Sequence, residues 1–342
     1  MTTHVHFVGS AGFDSTEDFF SAAGDTVKAF LRRCPDGEVG PRRLWTSYQW
    51  PVLRAARFLE VDSDNAIPGL GLCALRFRPS SKPELIHFGQ LGYAREARTS
   101  YQDFIAAREQ GVFTRNTRFQ VCLPTPFAVI DVFIVPADVQ KILPAYEEAM
   151  IREVKEICAI IPHADLALQW DVCMEMIRWD GRFPHMASFP NMKETFAGAF
   201  ARICASIPTG VELGFHFCYG DLDAKHVIEP ADLGKAVELA NLVIASARRP
   251  VNWIHMPVPK NRDDAAYFAP LQRLKLSPET EIYLGLVHAE GGVEGTVRRM
   301  KAARAFLNGF GIATECGIGR APTPDMARDI MRVHAQAANT FS

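Results

Sequence analysis

A histidine and a cysteine stand two residues apart at the end of an apolar run, in ELGFHFCYGD at 212–221. Side chains i and i+2 of a β-strand point to the same side, so His216 and Cys218 can face one point. A second cysteine, Cys316, follows another apolar run in TECGIGR. Zinc takes thiolate and imidazole ligands, and catalytic zinc sites leave one position open. These residues therefore predict a zinc site.

Two further imidazoles end apolar runs of the same kind, His255 in WIHMPVP and His288 in LGLVHAEGG. If the runs are neighbouring parallel strands, their carboxyl ends bring these imidazoles to the same edge as the two thiols. His255 is therefore a candidate for a fourth metal ligand. The alternative is an ordinary structural role, because cysteine is often buried and a histidine at a strand end is often only hydrogen-bonded.

Carboxylates occur in two places where they could bind a substrate. Asp171 ends the apolar run 165–171, and an aspartate at the carboxyl end of a barrel strand faces the barrel mouth. Its alternative role is to cap the helix that follows.

The second place is the loop PDGEVGPRRLW at 35–45, which sets Asp36, Glu38, Arg42 and Trp45 close together. Arginine binds carboxylates through paired hydrogen bonds, so this loop is a candidate clamp for a carboxylated substrate. A surface turn formed by Asp-Gly and Gly-Pro is the alternative.

The elements that position these residues alternate between short apolar runs and amphipathic stretches. Apolar residues recur with a period near 3.6 in 136–161, which predicts a helix, and we also predict helices at 229–247 and 292–307. This alternation favours parallel strands with helical crossovers. We predict a single (β/α)8 barrel rather than an open doubly wound sheet, because there are eight runs and no GxGxxG follows the first. The predicted strands are 4–10, 84–90, 118–124, 165–171, 211–218, 251–259, 281–288 and 311–317.

The chain of 342 residues is expected to form one domain, 1–342, with an irregular insert at about 36–83 over the barrel mouth. The net charge of −2 and the scattered arginines and lysines exclude the basic surface typical of nucleic-acid binding. No apolar stretch is long enough to span a membrane, and MTTHVHFVGS lacks a signal-peptide pattern.

The eight cysteines are irregularly spaced, which is typical of reduced thiols, so we expect a cytoplasmic protein. Six of them have no evident partner in register, and we interpret these as core residues: Cys34, Cys73, Cys122, Cys158, Cys173 and Cys204.

Four segments resemble those of cobalamin-independent methionine synthases. GFHFCYGD and ATECGIGR resemble the segments that supply that family's zinc ligands, QVCLPTPFAV resembles its third-strand PxP turn, and HVHFVGS its opening strand. The similarity spans the whole chain at the size of one catalytic barrel. The chain thus resembles the single-barrel branch of the group that joins methionine synthases with uroporphyrinogen decarboxylases. Other thiol alkyltransferases, such as epoxyalkane:coenzyme M transferases, use the same ligand pattern.

The resemblance implies zinc as a cofactor, with His216, Cys218 and Cys316 as its ligands. The family's other ligand is a glutamate at the end of the sixth strand, where this sequence has His255 nearby. His255 is then either the fourth ligand or a residue beside a metal held by three.

The resemblance also assigns substrate and proton-transfer roles. Asp171 matches the aspartate that holds the amino group of the amino-acid thiol, but the following Glu-Pro of the family is missing and Glu175 comes four residues on as a further candidate. The family has an acid in the seventh strand's loop, so His288 or Glu290 is the candidate proton donor, and a neutral histidine suits proton transfer near pH 7.

We therefore predict a zinc-dependent methyl or alkyl transferase that activates a small-molecule thiol as its thiolate. A methyltetrahydrofolate-type donor is implied by the resemblance, although the N-terminal barrel that helps hold folate in full methionine synthases is missing. Two alternatives stay open: a metal-free decarboxylase of the uroporphyrinogen type, and a zinc-dependent lyase or demethylase that cleaves a C–S or C–O bond. A homo-oligomer is compatible with the sequence.

Overall fold

Seven parallel strands form the central sheet in the part of the chain that the computed structural model describes, which is residues 3–183, 188–220, 225–318 and 323–340. Their order is β1-β4-β5-β6-β7-β8-β9, so the sheet follows the chain, interrupted only by a separate antiparallel hairpin of β2 and β3. The strands are β1 (Arg33–Cys34), β2 (Leu59–Ile67), β3 (Leu72–Phe77), β4 (Arg118–Pro124), β5 (Leu166–Val172), β6 (Glu212–Phe217), β7 (Trp253–Pro257), β8 (Glu281–Val287) and β9 (Gly311–Thr314).

Helices connect the strands, as the alternating pattern predicts. The long helix over 139–160 buries Ile142, Tyr146, Met150 and Val154 along one side, which is the 3.6-residue spacing seen in the sequence. Within the described ranges, no helix combines the length and apolar character that a membrane crossing requires. The helices are α1 (Thr16–Val27), α2 (Trp50–Arg54), α3 (Tyr93–Glu109), α4 (Pro126–Phe133), α5 (Val139–Ile160), α6 (Met174–Asp180), α7 (Met192–Ala205), α8 (Gly234–Ala247), α9 (Ala265–Phe268), α10 (Gly292–Arg304) and α11 (Pro324–Thr340).

The predicted first strand, 4–10, lies where the two edges of the sheet approach each other. Val5 makes parallel bridges to Leu31, next to β1, and to Ile312 in β9. The His6 amide donates to Ile312 O at 2.9 Å, and the Val5 amide donates to Phe30 O at 3.1 Å. The sheet is therefore curled until both edges contact the same short segment, and that segment adds isolated bridges rather than an eighth regular strand.

The predicted strand at 84–90 is wrong. A 3-10 helix occupies Pro83–Leu85, and the residues after it form no strand. The amides of Leu91 and Ala94 instead donate to the Glu153 carboxylate of α5, at 2.6 and 2.7 Å. The second position of the sheet is taken by β1, whose two residues pair with β4.

The insert at 36–83 contains short helices and also the β2–β3 hairpin, which the sequence analysis did not predict. The hairpin packs beside α4 and α5: the Val135 amide donates to Leu75 O at 2.9 Å, and the Phe77 amide to the Asp138 carboxylate at 2.8 Å. The opening part of the insert, 36–45, lies next to the carboxyl ends of the strands and is described with the site.

A buried ion-pair network closes the amino-terminal end of the sheet. Arg33 in β1 is 4% exposed and contacts Glu212 of β6 at 2.5 Å and Glu281 of β8 at 2.7 Å. Its guanidinium also lies over the ring of Trp253, 4.2 Å from the centroid. Gly214 makes room for this indole, since a Cβ there would lie 1.9 Å from a ring atom.

Candidate metal centre

One group of side chains in the described residues has the composition of a metal site: His216, Cys218 and Cys316. Their ligand atoms all lie within 4.8 Å of one another, and His216 Nε2 is 3.8 Å from Cys316 Sγ. His216 is in β6, Cys218 directly follows it, and Cys316 follows β9. The structure thus brings together the three residues that the sequence analysis selected, across 100 positions of the chain.

His255 fixes which nitrogen of His216 is free to bind a cation. His255 Nε2 lies 3.0 Å from the carbonyl oxygen of Thr314, which can only accept, so this nitrogen carries the proton. Burial holds the pKa of His255 well below its usual value, so the ring is neutral and its Nδ1 accepts. The Nδ1–H of His216 therefore donates to His255 Nδ1 at 2.7 Å, and the Nε2 lone pair of His216 is left facing the thiols.

Cys218 has a surrounding that favours its thiolate. The Gly220 amide donates to its sulfur at 3.3 Å. Hydrogen bonds from the thiols of Cys173 and Cys316 hold the pKa of Cys218 well below its usual value, against the opposing effect of burial. Cys173 is a buried core residue, as interpreted, but its thiol also contacts Cys218, a partner that the sequence analysis did not identify.

Cys316 is positioned by a close contact between β8 and the end of β9. A Cβ on Gly285 would lie 2.7 Å from Glu315 Cα, so only glycine lets the two segments approach this far. The Thr314 hydroxyl donates to the carbonyl of Cys316 at 2.5 Å, which sets the turn after the strand. Gly317 likewise allows a close approach, since a Cβ there would lie 2.2 Å from the hydroxyl oxygen of Ser10 in the segment 4–10.

Two thiols and one oriented imidazole fit zinc by their chemistry, because soft sulfur and imidazole donors suit this ion. His255 uses both of its ring nitrogens in hydrogen bonds. In this arrangement the protein offers three ligands, which is the number found in catalytic sites with an open position.

Two buried carboxyl groups near the metal-binding group, Asp171 and Glu38, have raised pKa values. Burial, with the nearby charge of Glu38, raises the pKa of Asp171 well above its usual value, although Gln169 donates to it at 2.9 Å and the Trp45 indole N–H also faces it. Burial and the charge of Asp36 raise the pKa of Glu38 to about 8. Two such carboxylates favour either a shared proton or a cationic ligand.

The loop 35–45 approaches these carboxylates through an internal ion pair. Arg42 donates to Asp36 at 2.7 Å, and the Glu38 amide donates to the same carboxylate at 3.0 Å. Arg42 is thus held by Asp36 and also lies near Glu38, whose charge acts on Asp171. The backbone of Glu38 and Trp45 is left-handed, with φ of 48° and 52°, which is uncommon for side chains of this size. A cavity of about 20 Å³ lies among these residues, enough for about one water molecule.

The remaining predicted site residues lie in different surroundings. Glu175 is buried in α6 next to Thr125, and burial raises its pKa to about 7. His288 lies 2.8 Å from the Val258 carbonyl, and burial lowers its pKa. Glu290 is exposed and pairs with Lys260. None of the contacts described for His288 and Glu290 joins them to the cysteines, and their catalytic roles stay predictions.

Sequence analysis missed the polar network that supports the site from the concave side of the curled sheet. Gln169 donates to Val8 O at 2.6 Å as well as to Asp171, and its amide oxygen lies 2.9 Å from His6 Nε2. A usable signal was present, since Gln169 stands two residues before Asp171 and so faces the same side of β5. Asp221, Gly319 and Arg320, which end the motif segments, lie outside the described residues.

No family model matches the sequence, and no curated protein matches it. Among solved structures, the fold is similar to a B12-independent methionine synthase from Shewanella sp. W3-18-1, with 14% identity, a TM-score of 0.62, and 96% of this chain and 85% of that chain covered. A putative vitamin-B12-independent methionine synthase from Listeria monocytogenes has 15% identity and a TM-score of 0.56, with 96% of this chain and 86% of that chain covered. A methyltransferase from Methanosarcina mazei has 11% identity and a TM-score of 0.54, with 99% of this chain and 94% of that chain covered. At these identities the likeness shows a shared fold, and it confirms at that level the resemblance seen in the motifs.

Proposed function

We propose that this protein is a zinc-dependent alkyl transferase, most plainly a methyl transferase, that acts on a small-molecule thiol. The observation that carries the proposal is the convergence of His216, Cys218 and Cys316 within 4.8 Å, with the Nε2 lone pair of His216 facing the thiols. Bound there, zinc would lower the pKa of a substrate thiol so that its thiolate exists near neutral pH.

Each residue of the centre has a role that follows from its contacts. Cys218 and Cys316 supply sulfur donors, and the Gly220 amide stabilises the negative charge of the Cys218 sulfur. His255 orients His216, which we infer to be its role in place of direct ligation. The three-ligand set leaves room for a substrate sulfur.

The carboxylates of Asp171 and Glu38 suit a substrate that carries an ammonium group. Burial is the main cause of the raised pKa of both carboxyl groups, and the nearby Arg42 is already bound by Asp36, so an ammonium group would supply a further positive charge. The Shewanella protein was solved in complex with selenomethionine, an amino acid whose selenium carries a methyl group. We therefore propose an amino-acid thiol as the acceptor, oriented by Asp171, with Glu175 close behind it.

The alkyl donor and the proton donor are parts of the same proposal. A methyltetrahydrofolate-type donor is the one that the motif resemblance implies, with a proton needed by its leaving group. His288 and Glu290 are the residues proposed to supply this proton, and the exposed position of Glu290 favours His288.

Metal analysis tests the site directly. Purified protein is expected to hold about one zinc ion per chain, and His216→Ala and Cys316→Ser are expected to lose it. Cys73→Ser is the matched control, because Cys73 is a half-buried cysteine of the β2–β3 hairpin. Stoichiometric zinc in both site variants would exclude the proposed centre.

Product analysis separates transfer from bond scission, the second candidate. The observation that favours a lyase or demethylase is the histidine pair, because His255 replaces the acidic ligand that the motif resemblance implies. Incubation with amino-acid thiols and methyl donors should give an alkylated thiol. A released thiol without an alkylated partner would support scission. Decarboxylation without zinc would support the decarboxylase, but the Arg42 side chain that such an enzyme would use for its substrate is already paired with Asp36.

We further infer that the chain forms one (β/α)8 domain in which 4–10 acts as the closing strand. The parallel bridges of Val5 to both edges of the sheet support this. In that arrangement the insert at 36–83 contributes its first residues, including Glu38 and Trp45, to the mouth.

A further inference from the structure

The two cysteine ligands are carried by different strands, and their segments need a connection of their own. Cys218 follows β6 and Cys316 follows β9, while β7 and β8 lie between these strands in the sheet. Sheet hydrogen bonds therefore do not join the two segments. Thiolate ligands also repel each other, so a stable metal site needs something that holds them together.

A buried histidine bridges the two segments. His226 Nε2 lies 3.0 Å from Glu315 Oε1, the residue next to Cys316, and their side chains are 3% and 7% exposed. On the other side, the Val227 amide donates to Tyr219 O at 2.8 Å, which returns the chain to the residue next to Cys218. One ion pair and one backbone hydrogen bond thus connect the residue after one cysteine to the residue before the other.

The charge state of the bridge agrees with an ion pair. Burial alone would disfavour a charged His226, but the carboxylates of Glu315 and Glu229 raise its pKa to about 9. Glu229 is 70% exposed and lies 3.2 Å from the other ring nitrogen. The buried partner, Glu315, is therefore the one that determines where the imidazolium ring sits.

We propose that His226 and Glu315 form a clamp that holds the Cys218 and Cys316 segments together, which makes His226 a positioning residue of the metal centre. The clamp rests on the metal site of the proposed function, but it does not touch the ligand atoms in any contact described here. It acts by keeping the two sulfurs at a fixed separation before a metal ion arrives, which lowers the cost of binding.

Zinc affinity tests the clamp, measured by competition with a chromophoric chelator on wild type, His226→Leu, His226→Gln and Glu229→Gln. His226→Leu should weaken zinc binding about 10- to 100-fold, as losses beside metal ligands typically do, while saturating zinc still gives one ion per chain. His226→Gln keeps an N–H donor, so its zinc affinity should lie between those of wild type and His226→Leu. Glu229→Gln is the matched control, and its affinity should stay within about twofold because Glu229 is largely exposed.

Hydrogen exchange in metal-free protein provides a measurement that needs no zinc. The Val227 amide, followed in the peptide 225–233, should exchange at least about tenfold faster in His226→Leu than in wild type. Equal exchange in the two proteins overturns the clamp, and so does equal zinc affinity. If wild type binds no zinc, the proposed function fails, and the exchange rates alone then decide the clamp.

Discussion

The two ends of the sheet use buried charge in opposite ways. At the amino-terminal end, Arg33 is balanced by Glu212 and Glu281, and the Tyr283 hydroxyl also donates to Glu281 at 2.8 Å. At the carboxyl end, the buried Asp171 and Glu38 have only Arg42 as a nearby cation, which Asp36 already binds, and two cysteine sulfurs lie close to His216. The first end is balanced within the protein, whereas in the proposed function a metal ion and a substrate would balance the second.

This difference separates stability from function along one axis of the fold. A saturated ion-pair network stabilises the folded state, and breaking it leaves uncompensated buried charges. Unbalanced carboxylates and sulfurs cost stability but provide binding energy for cations and ammonium groups. Substitutions at the two ends should therefore have opposite signs for stability.

The largest effect on stability is expected at the amino-terminal end of the sheet. Arg33→Met should lower the free energy of unfolding by about 2–3 kcal/mol, because Glu212 and Glu281 lose their buried partner and keep only Arg118 and the exposed Arg32. Arg32→Met is the matched control: Arg32 is 50% exposed and pairs with the same Glu281, so the loss should be about 0–1 kcal/mol. Urea denaturation measures both. Similar losses in the two variants would contradict the comparison between the ends.

A gain of stability is expected from a substitution at the carboxyl end of the sheet. Glu38→Gln should raise the free energy of unfolding at pH 8 by about 1 kcal/mol, while transferase activity falls. The pKa of Glu38 is about 8 in the folded state, well above that of an unfolded glutamate, so wild-type stability should decline as pH rises from about 5 to 8.

The pH dependence provides the check on this prediction. Between these pH values the folded protein keeps a proton that the unfolded chain has lost. Denaturation curves at several pH values should show a shallower decline for Glu38→Gln. An identical slope in both proteins would mean that Glu38 does not carry the proton.

The loss of stability at acid pH should come from the ion pairs at the amino-terminal end of the sheet. Burial raises the pKa of Glu281, but Arg33 opposes this and holds the pKa below its usual value. Its contribution is therefore present at neutral pH and is lost as pH falls below about 4. The melting temperature of Glu281→Gln should fall less between neutral and acid pH than that of wild type. An unchanged acid slope would assign that loss to other carboxylates.

The smallest effect is expected at the surface pair of Lys260 and Glu290. Both side chains are largely exposed, so Glu290→Gln should leave the melting temperature unchanged within error. It should also leave activity nearly intact if His288 is the proton donor, whereas His288→Gln should reduce kcat about 100-fold or more. The reverse pattern of kcat values would identify Glu290 as the donor.

Local patterns in the sequence predicted the later strands and the metal-binding group. The alternation in 211–218 identified a strand and, because of its two-residue period, the shared direction of His216 and Cys218. The strand β1 escaped notice because its two residues, Arg33 and Cys34, carry no periodic pattern. The run 84–90 has strand-like composition, yet it forms no strand, and the amides that follow it donate to Glu153 of α5 instead.

Relations between side chains far apart in the chain were less accessible. Nothing in the sequence pairs His226 with Glu315, or Cys173 with Cys218, because these contacts depend on how segments far apart in the chain meet at the carboxyl ends of the strands. Arg42 illustrates the same limit. Its type suggests a substrate clamp, but only the structure reveals that Asp36 already occupies it.

The contact of Val5 with Ile312 has a consequence for how the protein is made. During synthesis, His216 leaves the ribosome 100 residues before Cys316, so in the proposed function the first two metal ligands are made well before the third. Pairings across such sequence distances form slowly, since a long stretch of chain must be ordered first. Tight capture of the metal ion is therefore expected as a late event, after the seam at Val5 has closed.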